Sequence, residues 1–171
     1  IPPATPAGVV PQEPGAPTLT NNIPVDGMNW INYRRAQAGM PVLARNELIE
    51  RAAQGHSDYQ KANNEITHGQ TPGKPGFTGA RLGDRLTAAG YIFANTTFAH
   101  GEVISATSNT SGFYMADELI TAIYHRLVVF EPKFREIGTG AATTSAGYTY
   151  FTTDFATRNG YGPGIGRGNL A

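Results

Sequence analysis

The stretch EIGTGAATTSAGYTYFTTDFA, residues 136–156, decides what kind of fold this chain can adopt. It is β-branched and aromatic with a period of two, so Tyr148, Tyr150 and Thr152 share one face of a strand and Phe151, Thr153 and Phe155 the other. The Thr-Ser-Ala-Gly at its centre is turn chemistry, and the whole reads as a hairpin. A third strand is expected around EVISAT, which starts at Glu102. Four helices precede the hairpin. Trp30, Tyr33, Arg34 and Gln37 stand at helical spacing after Asp26, which falls in the expected cap region, and the pattern stops at Gly39 and Pro41. Asn46 then offers an N-cap to a helix carrying Leu48, Ala52, His56 and Tyr59 on one face. Leu82, Leu86 and Ala89 mark a short helix closed by Gly90, and a fourth helix is predicted from Phe113 to about Tyr124. Helices gathered against an antiparallel sheet make an α+β layered domain.

Composition narrows the functions open to that domain. Lys plus Arg and Asp plus Glu each number 13 in 171 residues, so no global field gathers nucleic acid or an anionic membrane. Cysteine is absent, which removes disulfides, thiolate metal sites and a cysteine nucleophile together. The longest apolar run, LVVF, is far shorter than the roughly 20 residues a transmembrane helix needs. Seven of the twelve prolines fall in the first 24 residues, a composition that favours extended, solvated backbone. Residues 1–26 therefore read as a proline-rich leader, 27–158 as the folded domain and 159–171 as a glycine-rich tail. A chain opening on Ile1 is what removal of an export signal leaves, although any upstream cut would look the same. Secretion or a cell-envelope location is the expectation.

Four histidines are the candidates for chemistry. His56 lies on the apolar stripe of the second helix, where a ring is most often a packed residue bonded to backbone. His68 follows that helix in a loop and is free to face a cleft. His100 reads as a surface ring beside Gly101 and Glu102. His125 could be a core ring, a base or a ligand. Glu118, Ala122 and His125 fall at i, i+4 and i+7, and so share one face if the helix runs that far. H-E-x-x-H, G-x-S-x-G and a phosphate loop are all missing.

Taken in order, MNWINYRRAQAGMPVLARNELIERAAQGHSDYQKANNEITHG, GARLGDRLTAAGY, HGEVISA, YHRLVVFEPKFREIGTG and YTYFTTDFA resemble the CAP superfamily of cysteine-rich secretory, antigen 5 and pathogenesis-related proteins. The resemblance is strongest to its cysteine-free bacterial SCP-like branch and covers residues 27 to 157. It implies a three-layer α-β-α sandwich around a central antiparallel sheet, with a cleft of two histidines and two acids that holds zinc or another divalent metal in some members. Carried over, His68 and His125 are the metal-binding histidines and Glu102 the first acid. Ala122 occupies the second acid's place, for which Glu118, one turn earlier, is the stand-in. Val103 replaces the family's asparagine after the glutamate. The function implied first is a secreted binding module for a small molecule, a lipid or a protein. A cell-envelope interaction domain with a vestigial cleft ranks second. A metal-dependent hydrolase or protease with Glu102 as catalytic base ranks third.

Overall fold

A computed structural model describes residues 13–94 and 97–160. The first twelve residues of the leader, the tail from residue 161 and Asn95 lie outside the described residues. Among the described residues, five helices and four strands follow one another as α1 (Ile23–Gln37), β1 (Ala44–Arg45), α2 (Glu47–Asn63), α3 (Leu82–Ala88), β2 (Ala99–Thr107), α4 (Gly112–Thr121), α5 (Ile123–Val129), β3 (Glu136–Thr143) and β4 (Thr149–Thr157). The sheet order is β1-β3-β4-β2. The hairpin read from residues 136–156 is β3 and β4, antiparallel and in register from Glu136↔Ala156 to Thr143↔Thr149. β2 adds to the far side of β4, also antiparallel, whereas the short β1 joins β3 in parallel. The sheet is thus antiparallel except at that edge.

Helix starts follow their caps. Asn46 caps α2 as expected, its side chain accepting from the backbone of Leu48 and Ile49. α1 starts earlier than expected because Asn22, rather than the Asp26 region, caps it and Pro24 sits in its first turn, where the missing N–H costs nothing. Asp26 is buried instead and accepts from the backbone N–H and hydroxyl of Thr20. The helix expected from Phe113 to Tyr124 is two helices. Ala122 adopts extended geometry, φ −80° and ψ 118°, which ends α4 and starts α5.

The strand alternation sorts the core into two layers. Phe151 and Phe155 point from β4 toward α1 and α4, where Trp30, Ile31, Phe113, Met115, Leu119, Val103 and Phe134 complete an apolar cluster. Thr152, Asp154 and Ala156 point the other way, toward α2 and α3. Contact there is close, because β3 turns Gly138 and Gly140 to α2. A Cβ on Gly138 would lie 2.2 Å from the backbone nitrogen of Glu50, and one on Gly140 2.3 Å from that of Gln54. The Gly-x-Gly at 138–140 is therefore a seat for a helix.

Candidate functional site

Glu102 sits on β2 with its side chain 4% exposed. A buried carboxylate needs compensation, and three groups gather on it. Arg85, on the first turns of α3 and fully buried, donates from Nη2 to Oε2 at 2.6 Å. Its other terminal nitrogen donates to the His68 carbonyl at 3.0 Å and so ties the loop after α2 to the same anchor. His68 donates from Nδ1 to Oε1 at 2.9 Å. Its side chain is 62% exposed, which leaves Nε2 to the cleft. His56 stands 3.8 Å away, buried.

His56 behaves as the apolar stripe suggested. Its Nε2 donates to the Thr67 carbonyl at 2.6 Å and its Nδ1 accepts from the Gln70 amide at 2.9 Å, so both nitrogens are satisfied in the neutral ring. Burial lowers its pKa further. His68 moves the other way, because its hydrogen bond to Glu102 favours the imidazolium. Burial alone would push the Glu102 carboxyl up. The His68 bond and the charge of Arg85 outweigh that and hold it below the usual glutamate range.

A fourth group lies beneath. Asp154 is directly opposite Glu102 in the β2–β4 ladder, is fully buried, and accepts no hydrogen bond on either oxygen from any donor among the described residues. Burial and the neighbouring Glu102 charge raise its pKa well above the ordinary aspartate value. Above these groups opens a cleft of about 460 Å³ lined by His68, Gly69, Ala80, Arg81, Leu82 and Glu102.

The structure brings His68 and Glu102 together and leaves the other two expected cleft residues elsewhere. Glu118 bonds through Oε2 to the hydroxyl of Ser105 at 2.7 Å. Ser105 is three residues from Glu102 on one strand, so the two acids lie on opposite faces of the sheet. The face shared by Glu118 and His125 does not exist either, since the chain breaks helix at Ala122. His125 is half-buried on α5, on the layer of α1 and α4, and has no hydrogen-bond or ion-pair partner among the described residues. Among the described residues no three His, Asp or Glu side chains are grouped to hold a metal. Of the zinc set that the resemblance implies, His68 and Glu102 are the pair brought together, and Nε2 of His68 stays open to the cleft. His100 is exposed and stacks beside Phe93 and Phe98, as a surface ring.

The order of these pieces along the chain is that of a known family. The model of the cysteine-rich secretory protein family, CAP, matches residues 28–155. The chain belongs to the CAP family. It does so without one of the cysteines that name the family. Among solved structures, this CAP domain is similar to an extracellular SCP-domain protein of Bacillus anthracis at 25% identity and TM-score 0.65, covering 79% of this chain and 40% of that one. An outer surface protein of Borrelia burgdorferi shares the fold at 15% identity and TM-score 0.63, covering 77% of this chain and 90% of its own. A cysteine-rich secretory protein of Staphylococcus aureus does so at 16% identity and TM-score 0.57, covering 79% and 38%. The chain thus spans about two fifths of the first of these relatives. No curated protein sequence matches it. Among the described residues, no helix of the CAP domain is long and apolar enough to cross a membrane.

Sequence reading passed over two members of the site. Arg85 stands three residues after Leu82 and one before Leu86, so it lies on the apolar face of α3, where a cation must find a buried partner. Asp154 is the one acid in a β-branched and aromatic run that ends up as a central strand.

Proposed function

We propose that this CAP domain is an extracellular binding module whose cleft above Glu102 takes a small ligand bearing a carboxylate. The observation that carries the reading is the position of His68, whose ring is anchored at Nδ1 by a buried carboxylate and exposed on its other side. Arg85 offsets the charge of Glu102 from below. What remains to line the cleft is His68 and Arg81, with Ala80 and Leu82 as an apolar wall. Two cationic donors beside an apolar surface suit an acid on a short hydrocarbon body. The extracellular placement rests on the company the fold keeps among secreted and surface proteins.

The test is an NMR titration of the protein with acetate, benzoate and methylammonium. Carboxylates should shift Gly69, Leu82 and the His68 ring with about millimolar affinity, and His68→Ala or Arg81→Ala should weaken that about tenfold. Equal shifts from methylammonium, or shifts that survive both substitutions, would overturn the carboxylate reading. Silence with every probe would favour an envelope interaction domain instead. Zinc added to the same sample tests the metal: joint broadening of His68 and His125 would replace the carboxylate by an ion.

One observation favours hydrolysis as a second reading. A histidine held by a carboxylate at Nδ1 presents Nε2 as a general base. The base in that reading is His68, with Glu102 orienting it, rather than Glu102 itself. Hydrolysis of a simple ester undiminished in His68→Ala would end it.

A further inference from the structure

Asp154 is the acid of this site that nothing else in the fold explains. It has no exposed surface and accepts no hydrogen bond on either oxygen from any donor among the described residues. An ionised carboxylate in that position would be uncompensated, which costs far more than a neutral acid. No titratable group facing it from the packed elements donates to it. Arg85 from α3 gives its two terminal nitrogens to Glu102 and to the His68 carbonyl, and its buried Nε reaches no acceptor among the described residues, Asp154 included. His56 from α2 is spent on Thr67 and Gln70, and His68 on Glu102. β3 contributes only Gly138, the register partner of Asp154 on its other side. Glu102 is left, directly across the ladder, where paired side chains stand about 5 Å apart at Cβ.

We infer that Asp154 is a positioning residue of the cleft: a proton-bearing acid that donates to the Glu102 carboxylate from beneath and keeps it turned to His68. A carboxylate with Arg85 on one oxygen and the His68 N–H on the other still has unused lone pairs, and in a buried strand only a side chain can reach them. The direction of both shifts agrees with one ionised and one neutral acid in the pair, Glu102 held low and Asp154 pushed high. The consequence is a fixed ring: hydrogen stays on Nδ1 in the neutral form, and Nε2 faces the cleft, where it donates to a carboxylate once the ring is protonated. This deepens the binding reading, since it names what aims the ring at a ligand, but its test needs no ligand.

The experiment is nitrogen NMR of the His68 ring at about pH 8.5, where imidazole is neutral, in wild type, Asp154→Asn and Asp154→Leu, together with carbon NMR of the Asp154 carboxyl. Wild type should favour the Nδ1–H tautomer about tenfold. Asp154→Asn, which still offers an N–H to Glu102, should keep that ratio, and Asp154→Leu should bring the two tautomers toward parity. A folded Asp154→Leu with the wild-type ratio would overturn the proposal, because the residue would then only fill space. If the leucine variant does not fold, the carboxyl carbon decides: a signal of ionised Asp154 at neutral pH overturns it. Wild-type protein that shows the Nδ1–H tautomer, loses it in Asp154→Leu and yet binds no carboxylate would count against the binding reading alone.

Discussion

The two faces of the sheet are built on opposite plans. On the α1/α4 face, Phe151, Phe155, Phe113 and Trp30 interlock, and the charges that touch them, Asp117 at the Trp30 indole N–H and Arg34 over its ring, are partly exposed. On the α2/α3 face the same strands supply Thr152, Asp154 and Glu102, and the helices answer with Ser57, Gln60, His56 and Arg85. Burial is equally complete on both, yet on the first it stabilises directly and on the second it must be offset group by group. The difference separates the part of the molecule that holds the fold from the part that holds the cleft.

Three substitutions would break or sharpen that separation. Phe151→Ala, on the apolar face, should cost about 4 kcal/mol in urea unfolding and leave the His68 tautomer as in wild type. A changed tautomer would show that the faces are coupled. Arg85→Met, on the polar face, should cost about 3 kcal/mol because it strands the Glu102 charge, and it should also reverse the pH response. In wild type the low pKa of folded Glu102 gives stability that is present above the ordinary glutamate value and lost as pH falls. Without Arg85, burial dominates and stability should fall as pH rises; thermal melts at acid and neutral pH would read the sign. The smallest effect is expected from Asp154→Asn. The raised pKa of folded Asp154 gives a contribution that is full below the ordinary aspartate value and lost as pH rises. The variant should therefore gain melting temperature over wild type from about pH 4 to pH 7. A gain that does not grow with pH would mean Asp154 is ionised in the folded protein.

The apolar face and the strands were legible in the sequence because alternation and helical spacing encode them locally. Tyr150, Phe151, Thr152, Thr153 and Phe155 took the faces their parity assigned, and Asn46 capped the helix it precedes. His56 was readable for the same reason, since its place on a stripe implied burial. The polar face was legible only in part. His68 and Glu102 came from motifs in the right order, but their bond joins residues 34 apart and depends on Arg85, which spacing alone shows as an oddly placed cation. The fourfold set failed at Glu118 and His125 because one residue, Ala122, leaves helical geometry, and a periodic pattern does not register a single broken turn. Nothing in the local sequence marks that break: Ala122 is a good helix former.

The strand order has a consequence in time. β2, which carries Glu102, touches the rest of the sheet only through β4, the last strand of the chain, and that strand also brings Asp154. The apolar helices α1 and α4 can begin to associate with β2 as soon as they are made, but the cleft has no floor until residues 149–157 have slid between β2 and β3. Closing that distant pairing is slow compared with forming a helix. Completion of the cleft is therefore the final event of folding, and a chain caught before it would display two unpaired strand edges in its place.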